Sequence, residues 1–147
     1  MPLSLSVVTA ERTVLQWDAV NRLIVPTTEG QITILPHHAA LMASLGYGEL
    51  VAIGTNELVG MAVFGGFIQV AHDQVTVLAD AAERAEDINE ERAEAARQRA
   101  EQRLAGQHVG PEAVDILRAR LALQRALIRV RVRRTRRGTG APAMTER

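Results

Sequence analysis

The chain has 147 residues, of which 47% are hydrophobic and only 3% aromatic, and it contains no cysteine. This composition can fill the core of one domain with an appendage, and it excludes disulfides, zinc–thiolate sites and cysteine nucleophiles. All 17 Lys/Arg positions are arginine, which excludes a P-loop lysine and Schiff-base chemistry. No apolar run is long enough to span a membrane and no signal peptide is evident, so we expect a cytosolic chain.

The formal net charge of zero hides an asymmetry between the two parts of the chain. Residues 1–80 carry two arginines and seven acidic residues, whereas residues 81–147 carry fifteen arginines and ten acidic residues. Within the second part, nine arginines and no acidic residue fall between Ile116 and Arg137. A basic block of this kind indicates an acidic partner surface.

Short alternating or β-branched stretches follow one another through the first half, from "LSLSVVT" at Leu3 to "QVTVL" at Gln74. Parallel pairing needs long helical crossovers, and the segments between these stretches are too short to supply them. The sequence therefore predicts an antiparallel β-sandwich or barrel, with the sandwich assigned to residues 1–84. Turn signals separate the predicted strands at Glu29-Gly30, Gly46-Tyr47-Gly48, Gly54-Thr55-Asn56, Gly65-Gly66 and His72-Asp73.

The second half is predicted to form two helices. Asp87 and Glu90 have the spacing of a capping box, and Gly106 is placed to end the first helix. We expect an all-β sandwich followed by an α-helical hairpin over residues 87–132, and a disordered basic tail over residues 133–147. Because an alanine seam buries little area, the hairpin should lean on another surface. The predicted seam comprises Ala93, Ala96, Ala100 and Leu104 on the first helix and Val114, Leu117, Leu121 and Ile128, with Leu127 beside them, on the second.

Polar groups in the first half give weak signals of chemistry. In a strand the adjacent His37 and His38 would point to opposite faces, which disfavours one shared metal ion and favours a turn or partner surface. Gly65-Gly66 lies between two strands and not before a helix, which favours a turn or bulge over a phosphate loop. No base, nucleophile and orienting group lie together in sequence, so we predict no catalytic residue and no metal site.

Four arginines of the predicted hairpin could meet at one end of it. Arg92 and Arg99 are two turns apart on the first helix, and Arg125 and Arg129 are one turn apart on the second. In an antiparallel hairpin they could surround an anion such as a polyphosphate. A solvated Arg/Glu surface is one alternative. A free-standing module that binds nucleic acid is another, against which the scarce aromatics and the acidic first half speak.

Six segments in order, "VVTAERTVL", "VPTTEGQITILPHHAALM", "GYGEL", "AVFGGFIQV", "VTVLADAAERAEDI" and "RAEAARQRAE", resemble the epsilon subunits of F-type ATP synthases. The resemblance covers residues 3 to about 132. It implies a non-catalytic central-stalk subunit with a β-sandwich and a two-helix hairpin. The implied partners of the sandwich are the gamma subunit and the ring of c subunits, with no nucleic acid. The implied location is peripheral, on the cytoplasmic side of the bacterial cell membrane.

The resemblance also implies a regulatory role for the hairpin, which inhibits ATP hydrolysis when it extends towards an acidic loop of the catalytic beta subunit. The residues expected to contact that loop are Arg118, Arg120, Arg125 and Arg129. The residues expected to contact the ring are Glu29, Gly30 and His38.

In some bacterial members of this family, the folded hairpin binds ATP through an Ile/Leu-Asp-x-x-Arg-Ala motif and arginines of both helices. No cofactor is implied as a requirement; ATP is implied as an optional regulatory ligand. Asn89 stands where the motif has Asp, and it keeps one acceptor oxygen while losing the charge. The residues that match this site are Glu83, Ile88, Asn89, Arg92, Ala93, Arg99, Arg125 and Arg129.

Overall fold

The computed structural model describes residues 1–106 and 113–137, and it places eight strands before two helices. The predicted order of a β-sandwich and then a helical hairpin is confirmed. The strands are β1 (Leu3–Val8), β2 (Thr13–Val20), β3 (Arg22–Thr27), β4 (Gly30–Ile34), β5 (Leu41–Ile53), β6 (Leu58–Ala71), β7 (Gln74–Ala79) and β8 (Ala82–Arg84). A 3-10 turn (Ala85–Asp87) leads to the helices α1 (Glu90–Leu104) and α2 (Ala113–Arg137).

The strands are hydrogen-bonded in the order β2-β1-β7-β6-β5-β3-β4, and β8 pairs with β6. All paired strands run antiparallel except β1 and β7, which are parallel. The prediction of a wholly antiparallel sheet is therefore wrong at this pair. The long connection that parallel pairing requires is supplied by β2 to β6, which lie between the two strands in the chain.

One hydrophobic core closes the sandwich and draws residues from all eight strands. In β1, Leu3, Leu5 and Val7 are buried, while the serines between them are only partly covered. This period of two follows from the alternating direction of side chains along a strand. The apolar alternation that predicted the strands is thus the same pattern that fills the core.

Two predicted turns lie inside long strands. The Gly46–Gly48 segment is part of β5, and Gly65 and Gly66 are part of β6. Beyond Gly66 the strand pairs with β7, and before Gly65 it pairs with β8. The two glycines have φ angles of 83° and 120°, which a residue without Cβ adopts readily. They therefore bend β6 between its two partner strands without ending it.

Helix α1 begins at a different cap from the one predicted. Asn89 occupies the N-cap position, and its Oδ1 accepts a hydrogen bond from the Arg92 amide at 3.0 Å. The predicted cap, Asp87, lies in the 3-10 turn. Between them Ile88 is buried against β6, which fixes the chain so that the helix starts after it. At the other end, Gly106 follows the helix with a φ of 82°, as its predicted capping role requires.

The two helices pack through alanine and not through the predicted leucine seam. Small side chains let two helix backbones approach closely, which leaves larger neighbours at the rim of the contact. The seam prediction is therefore wrong for the leucines, and the side chain of Val114 lies outside the described part. The buried residues are Ala93 and Ala100 of α1 and Ala119 and Ala126 of α2, whereas Leu104, Leu117, Leu121 and Leu127 are exposed.

Helix α2 carries a second buried face in its C-terminal half. Ile128 and Val132, one turn apart, belong to a cluster with Phe64 of β6 and Ile88. This cluster attaches the hairpin to the sandwich. The helix continues to Arg137, past its predicted end at Val132, so the predicted tail begins inside it. Residues 138–147 lie outside the described residues.

Candidate functional site

A cleft of about 420 Å³ opens where β8 and the start of α1 meet the C-terminal half of α2. The structure brings together every residue predicted for nucleotide binding except Arg125. The sequence motif did not indicate Asp87, Ala95 and Ala96, because all three lie outside its residues 88–93. The lining residues are Glu83, Asp87, Ile88, Asn89, Arg92, Ala93, Ala95, Ala96, Arg99 and Arg129.

Arg129 already has partners within the folded chain. Its Nε donates a hydrogen bond to Glu83 Oε1 at 2.6 Å, and its guanidinium lies 4.8 Å from the centroid of the Phe64 ring. The Phe64 ring in turn makes an edge contact with Tyr47 at 5.7 Å between centroids. An anion in the cleft would therefore share the Arg129 guanidinium with Glu83.

The other two arginines of the cleft are available to a ligand. Arg92 and Arg99 are exposed, and among the described side chains, those of residues 1–106 and 116–136, neither has a partner in an ion pair. Two such guanidinium groups can bind phosphate oxygens through charge-assisted hydrogen bonds. Ile88 and Ala93 are buried beside them and provide an apolar wall. The cleft thus combines cationic and apolar surface, as sites for small organic anions do.

Asn89 has a structural role that limits what it offers to a ligand. Its Oδ1, which is its only side-chain acceptor atom, already caps α1, and its amide nitrogen can only donate. An aspartate here could cap the helix with one oxygen and keep the other as an acceptor. The replacement of the motif's Asp by Asn therefore preserves the start of the helix and removes an acceptor from the cleft.

The arginine block of α2 divides into an exposed half and a half paired with other elements. Of the predicted beta-subunit contacts, Arg118 and Arg120 are exposed, Arg125 is half-buried and Arg129 is paired with Glu83. The arginines in the last turns of α2 find their partners in other elements of the same chain. There Arg133 donates to the Ala85 carbonyl at 3.3 Å, Arg134 Nε to Glu90 Oε1 at 2.7 Å, and Arg136 to both oxygens of Glu49 at 2.9 and 3.1 Å.

Helix α1 also carries a group of partly exposed Arg and Glu side chains outside the cleft. Arg97 donates hydrogen bonds to Glu94 and to Glu101 within the same helix. The hydrogen bond from Arg97 lowers the pKa of the Glu94 carboxyl below its usual value. This group does not line the cleft, so the two kinds of arginine surface coexist on one helix.

The three residues predicted to contact a ring lie in or beside turns, with Glu29 and Gly30 exposed and His38 half-buried. The Thr28 amide donates to the Ser44 carbonyl at 3.1 Å, which places the first turn beside the start of β5. The loop that carries His38 leads into β5, and the His37 amide donates to Asp73 Oδ1 at 2.6 Å. These turns therefore share one end of the sandwich. Within the described ranges, no group of three His, Asp or Glu residues could hold a metal ion.

Comparison with known proteins defines the class of the chain from both of its parts. The family model described as ATP synthase, Delta/Epsilon chain, beta-sandwich domain matches residues 2–85. The model described as ATP synthase, Delta/Epsilon chain, long alpha-helix domain matches residues 86–133. The sandwich and the hairpin are thus the two domains of a delta/epsilon-type chain.

Curated relatives narrow this class. The ATP synthase epsilon chain of Herpetosiphon aurantiacus is 42% identical over 137 residues, which cover 93% of this chain and 98% of that protein. The ATP synthase epsilon chain of Dehalococcoides mccartyi is 46% identical over 137 residues, which cover 92% and 94%. The chain belongs to the family of ATP synthase epsilon chains. These are non-catalytic stalk subunits of the complex, which decides against the free-standing module that binds nucleic acid.

Solved structures share the fold. A chain in the Euglena gracilis mitochondrial ATP synthase aligns with a TM-score of 0.72 at 20% identity, covering 84% of this chain and 76% of that one. A chain in the central stalk/c-ring structure of the Tetrahymena thermophila mitochondrial ATP synthase aligns with a TM-score of 0.56 at 17% identity, covering 92% and 96%. Neither described helix of the present chain is long and apolar enough to cross a membrane.

Proposed function

We propose that the sandwich joins the gamma subunit and the ring of c subunits in the central stalk of a bacterial F-type ATP synthase, and that the hairpin inhibits ATP hydrolysis. The complex would hold the chain on the cytoplasmic side of the cell membrane, which it reaches only through its partners. The observation that carries this proposal is the hairpin's attachment to the sandwich by one small apolar cluster and by the two pairs Arg129–Glu83 and Arg136–Glu49. Such a contact can open without unfolding the sandwich.

Inhibition would follow from an exchange of acidic partners. In the folded chain Glu83 and Glu49 pair with Arg129 and Arg136. In the extended state the arginine block would pair with an acidic loop of the catalytic beta subunit. Both pairs are partly buried in the folded chain. Their replacement by Arg–carboxylate pairs with the beta subunit would change the free energy little, because the gain of one set offsets the loss of the other. The folded and extended states can therefore be close in stability, as a regulatory switch requires.

A chain ending at Asp87 tests both halves of this proposal in reconstituted ATP synthase. We expect it to assemble, because the sandwich core lies within the retained residues. We expect ATP hydrolysis to rise several-fold, because the inhibitory helices are gone. A Glu29→Cys substitution in the same chain should cross-link to polar loops of the ring.

The matched control for the cross-link is Asn56→Cys. Asn56 is exposed in the turn after β5, at the opposite end of that strand from the Glu29 turn, and should not react with the ring. Unchanged hydrolysis would remove the inhibitory role, and equal cross-linking from both cysteines would remove the ring contact.

We further propose that ATP binds in the cleft and stabilises the folded hairpin. Arg92 and Arg99 would hold the phosphates, and the wall formed by Ile88 and Ala93 would contact the base or ribose. A ligand that binds only the folded state stabilises it by RT ln(1 + [L]/Kd), about 2.7 kcal/mol at a hundredfold excess over Kd. Abundant ATP would thus keep the hairpin from inhibiting the complex.

Calorimetric titration of the isolated chain with Mg-free ATP tests this site. Asn89→Asp should tighten binding, because aspartate keeps the helix cap and adds a second acceptor oxygen. Arg92→Ala should weaken binding by about tenfold or more, since a charge-assisted hydrogen bond is lost. Arg125→Ala should weaken it less, because Arg125 does not line the cleft.

Arg97→Ala is the control for this titration, because Arg97 lies on the same helix and is paired with Glu94 and Glu101 outside the cleft. If neither the natural chain nor Asn89→Asp releases heat at millimolar ATP, the cleft is only a solvated arginine surface.

A further inference from the structure

Two arginines hold the end of α2 in place, and both lie beyond the residues that the family's helix model matches. That match ends at residue 133, whereas α2 continues to Arg137. Arg134 reaches α1, with Nε 2.7 Å from Glu90 Oε1 and Nη2 3.4 Å from Glu94 Oε2. Arg136 reaches Glu49 in β5. The first contact joins the two helices, and the second joins the hairpin to the sandwich.

The contact between Arg136 and Glu49 is the more enclosed of the two. The guanidinium donates from Nε to Glu49 Oε2 at 2.9 Å and from Nη2 to Oε1 at 3.1 Å. The two side chains are only 16% and 21% exposed. A bidentate pair of this kind fixes the relative orientation of its partners, and partial burial reduces its screening by salt.

The path of the Arg136 side chain depends on a glycine in β6. A Cβ atom on Gly60 would lie 2.6 Å from Arg136 Cδ and 2.8 Å from Nε, so the arginine crosses directly over the Gly60 backbone. Gly60 is not among the residues with positive φ, so its conformation alone does not require glycine. The space needed by Arg136 gives a physical reason for glycine at this position.

We propose that Arg136 with Glu49, supported by Arg134 with Glu90 and Glu94, forms a latch that holds the hairpin on the sandwich in the absence of nucleotide. Extension of the hairpin would carry the end of α2 away from β5, so the latched and extended states exclude each other. The latch therefore shifts the equilibrium towards the folded chain. Its effect on ATP hydrolysis rests on the proposed function, but its effect on the isolated chain does not.

Hydrogen–deuterium exchange of the isolated chain measures this equilibrium even when the open state is rare, because helices that lose their supporting surface are marginal and their amides exchange from the open state. We expect Glu49→Gln and Arg136→Gln each to accelerate amide exchange between Ala126 and Val132 by about five- to tenfold. Each variant removes the bidentate charged contact that opposes opening. Gly60→Ala should do the same without changing any charge. The double variant Glu49→Gln/Arg136→Gln should be no faster than the faster single variant, since both remove one contact.

Two charge-matched controls accompany these variants. Arg131→Gln removes an exposed arginine that lines the same groove as Arg136, and Glu57→Gln removes an acidic side chain that follows β5. Both should exchange at the rate of the natural chain. Latch variants that exchange no faster than these controls would overturn the proposal. Equal acceleration in β1 and β7 would also overturn it, because the pair would then stabilise the whole chain and not the docked hairpin.

The same variants in assembled ATP synthase separate the latch from the proposed function. If the hairpin inhibits hydrolysis, Glu49→Gln and Gly60→Ala, which leave the arginine block intact, should lower the rate relative to Glu57→Gln, because the extended state is more populated. Faster exchange in the isolated chain with an unchanged hydrolysis rate would establish the latch and contradict the inhibitory role.

Discussion

Replacing Gly66 by alanine is expected to lower the free energy of unfolding by roughly 3–5 kcal/mol, through backbone strain and a steric clash together. The φ angle of 120° is unfavourable for any residue with a side chain. In addition, the new Cβ would lie 2.1 Å from the Leu78 carbonyl oxygen and 2.8 Å from Ala79 Cα. Both atoms belong to the backbone of β7, which cannot move aside without breaking its hydrogen bonds to β6.

Gly30→Ala separates the two contributions. Gly30 has a φ of 121°, almost the same angle, but nothing lies within 4 Å of its Cβ position. Its substitution should therefore cost only the strain, about 1–2 kcal/mol. Urea unfolding followed by circular dichroism gives both values. Equal destabilisation by the two variants would mean that β7 yields freely and that Gly66 is not a tight bend.

Phe64→Ala is expected to weaken the attachment of the hairpin by about 3–4 kcal/mol, the usual cost of removing a buried phenyl ring. Phe64 is 3% exposed and packs with Ile88, Ile128 and Val132, while the sandwich core is built from other residues. The substitution also removes the ring beneath the Arg129 guanidinium. Because two short helices are marginal without a supporting surface, we expect the helical signal to melt at lower temperature than the strand signal.

Phe67→Ala is the matched control, because Phe67 lies on the same strand, three residues away, and is 56% exposed. It should leave the melting of the helices almost unchanged. If both variants melt in one transition with the sandwich, the hairpin and sandwich form a single cooperative unit. That result would contradict the proposal that the hairpin opens while the sandwich stays folded. It would therefore also contradict regulation by an extended hairpin.

The β-strands and most of the cleft could be predicted from the sequence because the signals are local. Alternation of apolar residues marks a buried strand face wherever it occurs, as in Leu3, Leu5 and Val7. The spacing of Arg92 and Arg99 places them on one face of α1, and both line the cleft. Arg125 and Arg129 are one turn apart on α2, a spacing that predicts one shared face. In the structure only Arg129 lines the cleft.

The predictions that were wrong concern features that depend on contacts between distant parts of the chain. Gly65 and Gly66 have the composition of a turn, but pairing with β7 and then β8 continues the strand through them. The parallel pairing of β1 with β7 depends on five intervening strands, which no local pattern encodes. The leucines of α2 match a helical seam by period, and the closer approach allowed by Ala119 and Ala126 excludes them.

The division into a β-half and a helical half, the arginine block and the family could all be recognised in the sequence, because periodicity, composition and motif are properties of neighbouring residues. Which arginines are neutralised depends instead on contacts between distant elements. The pairing of Arg136 with Glu49 joins residues far apart in the chain, over a glycine that leaves room for the side chain. Such a contact depends on the docking of α2 on the sandwich, and docking is the sum of many weak contacts that become definite only when both surfaces have formed.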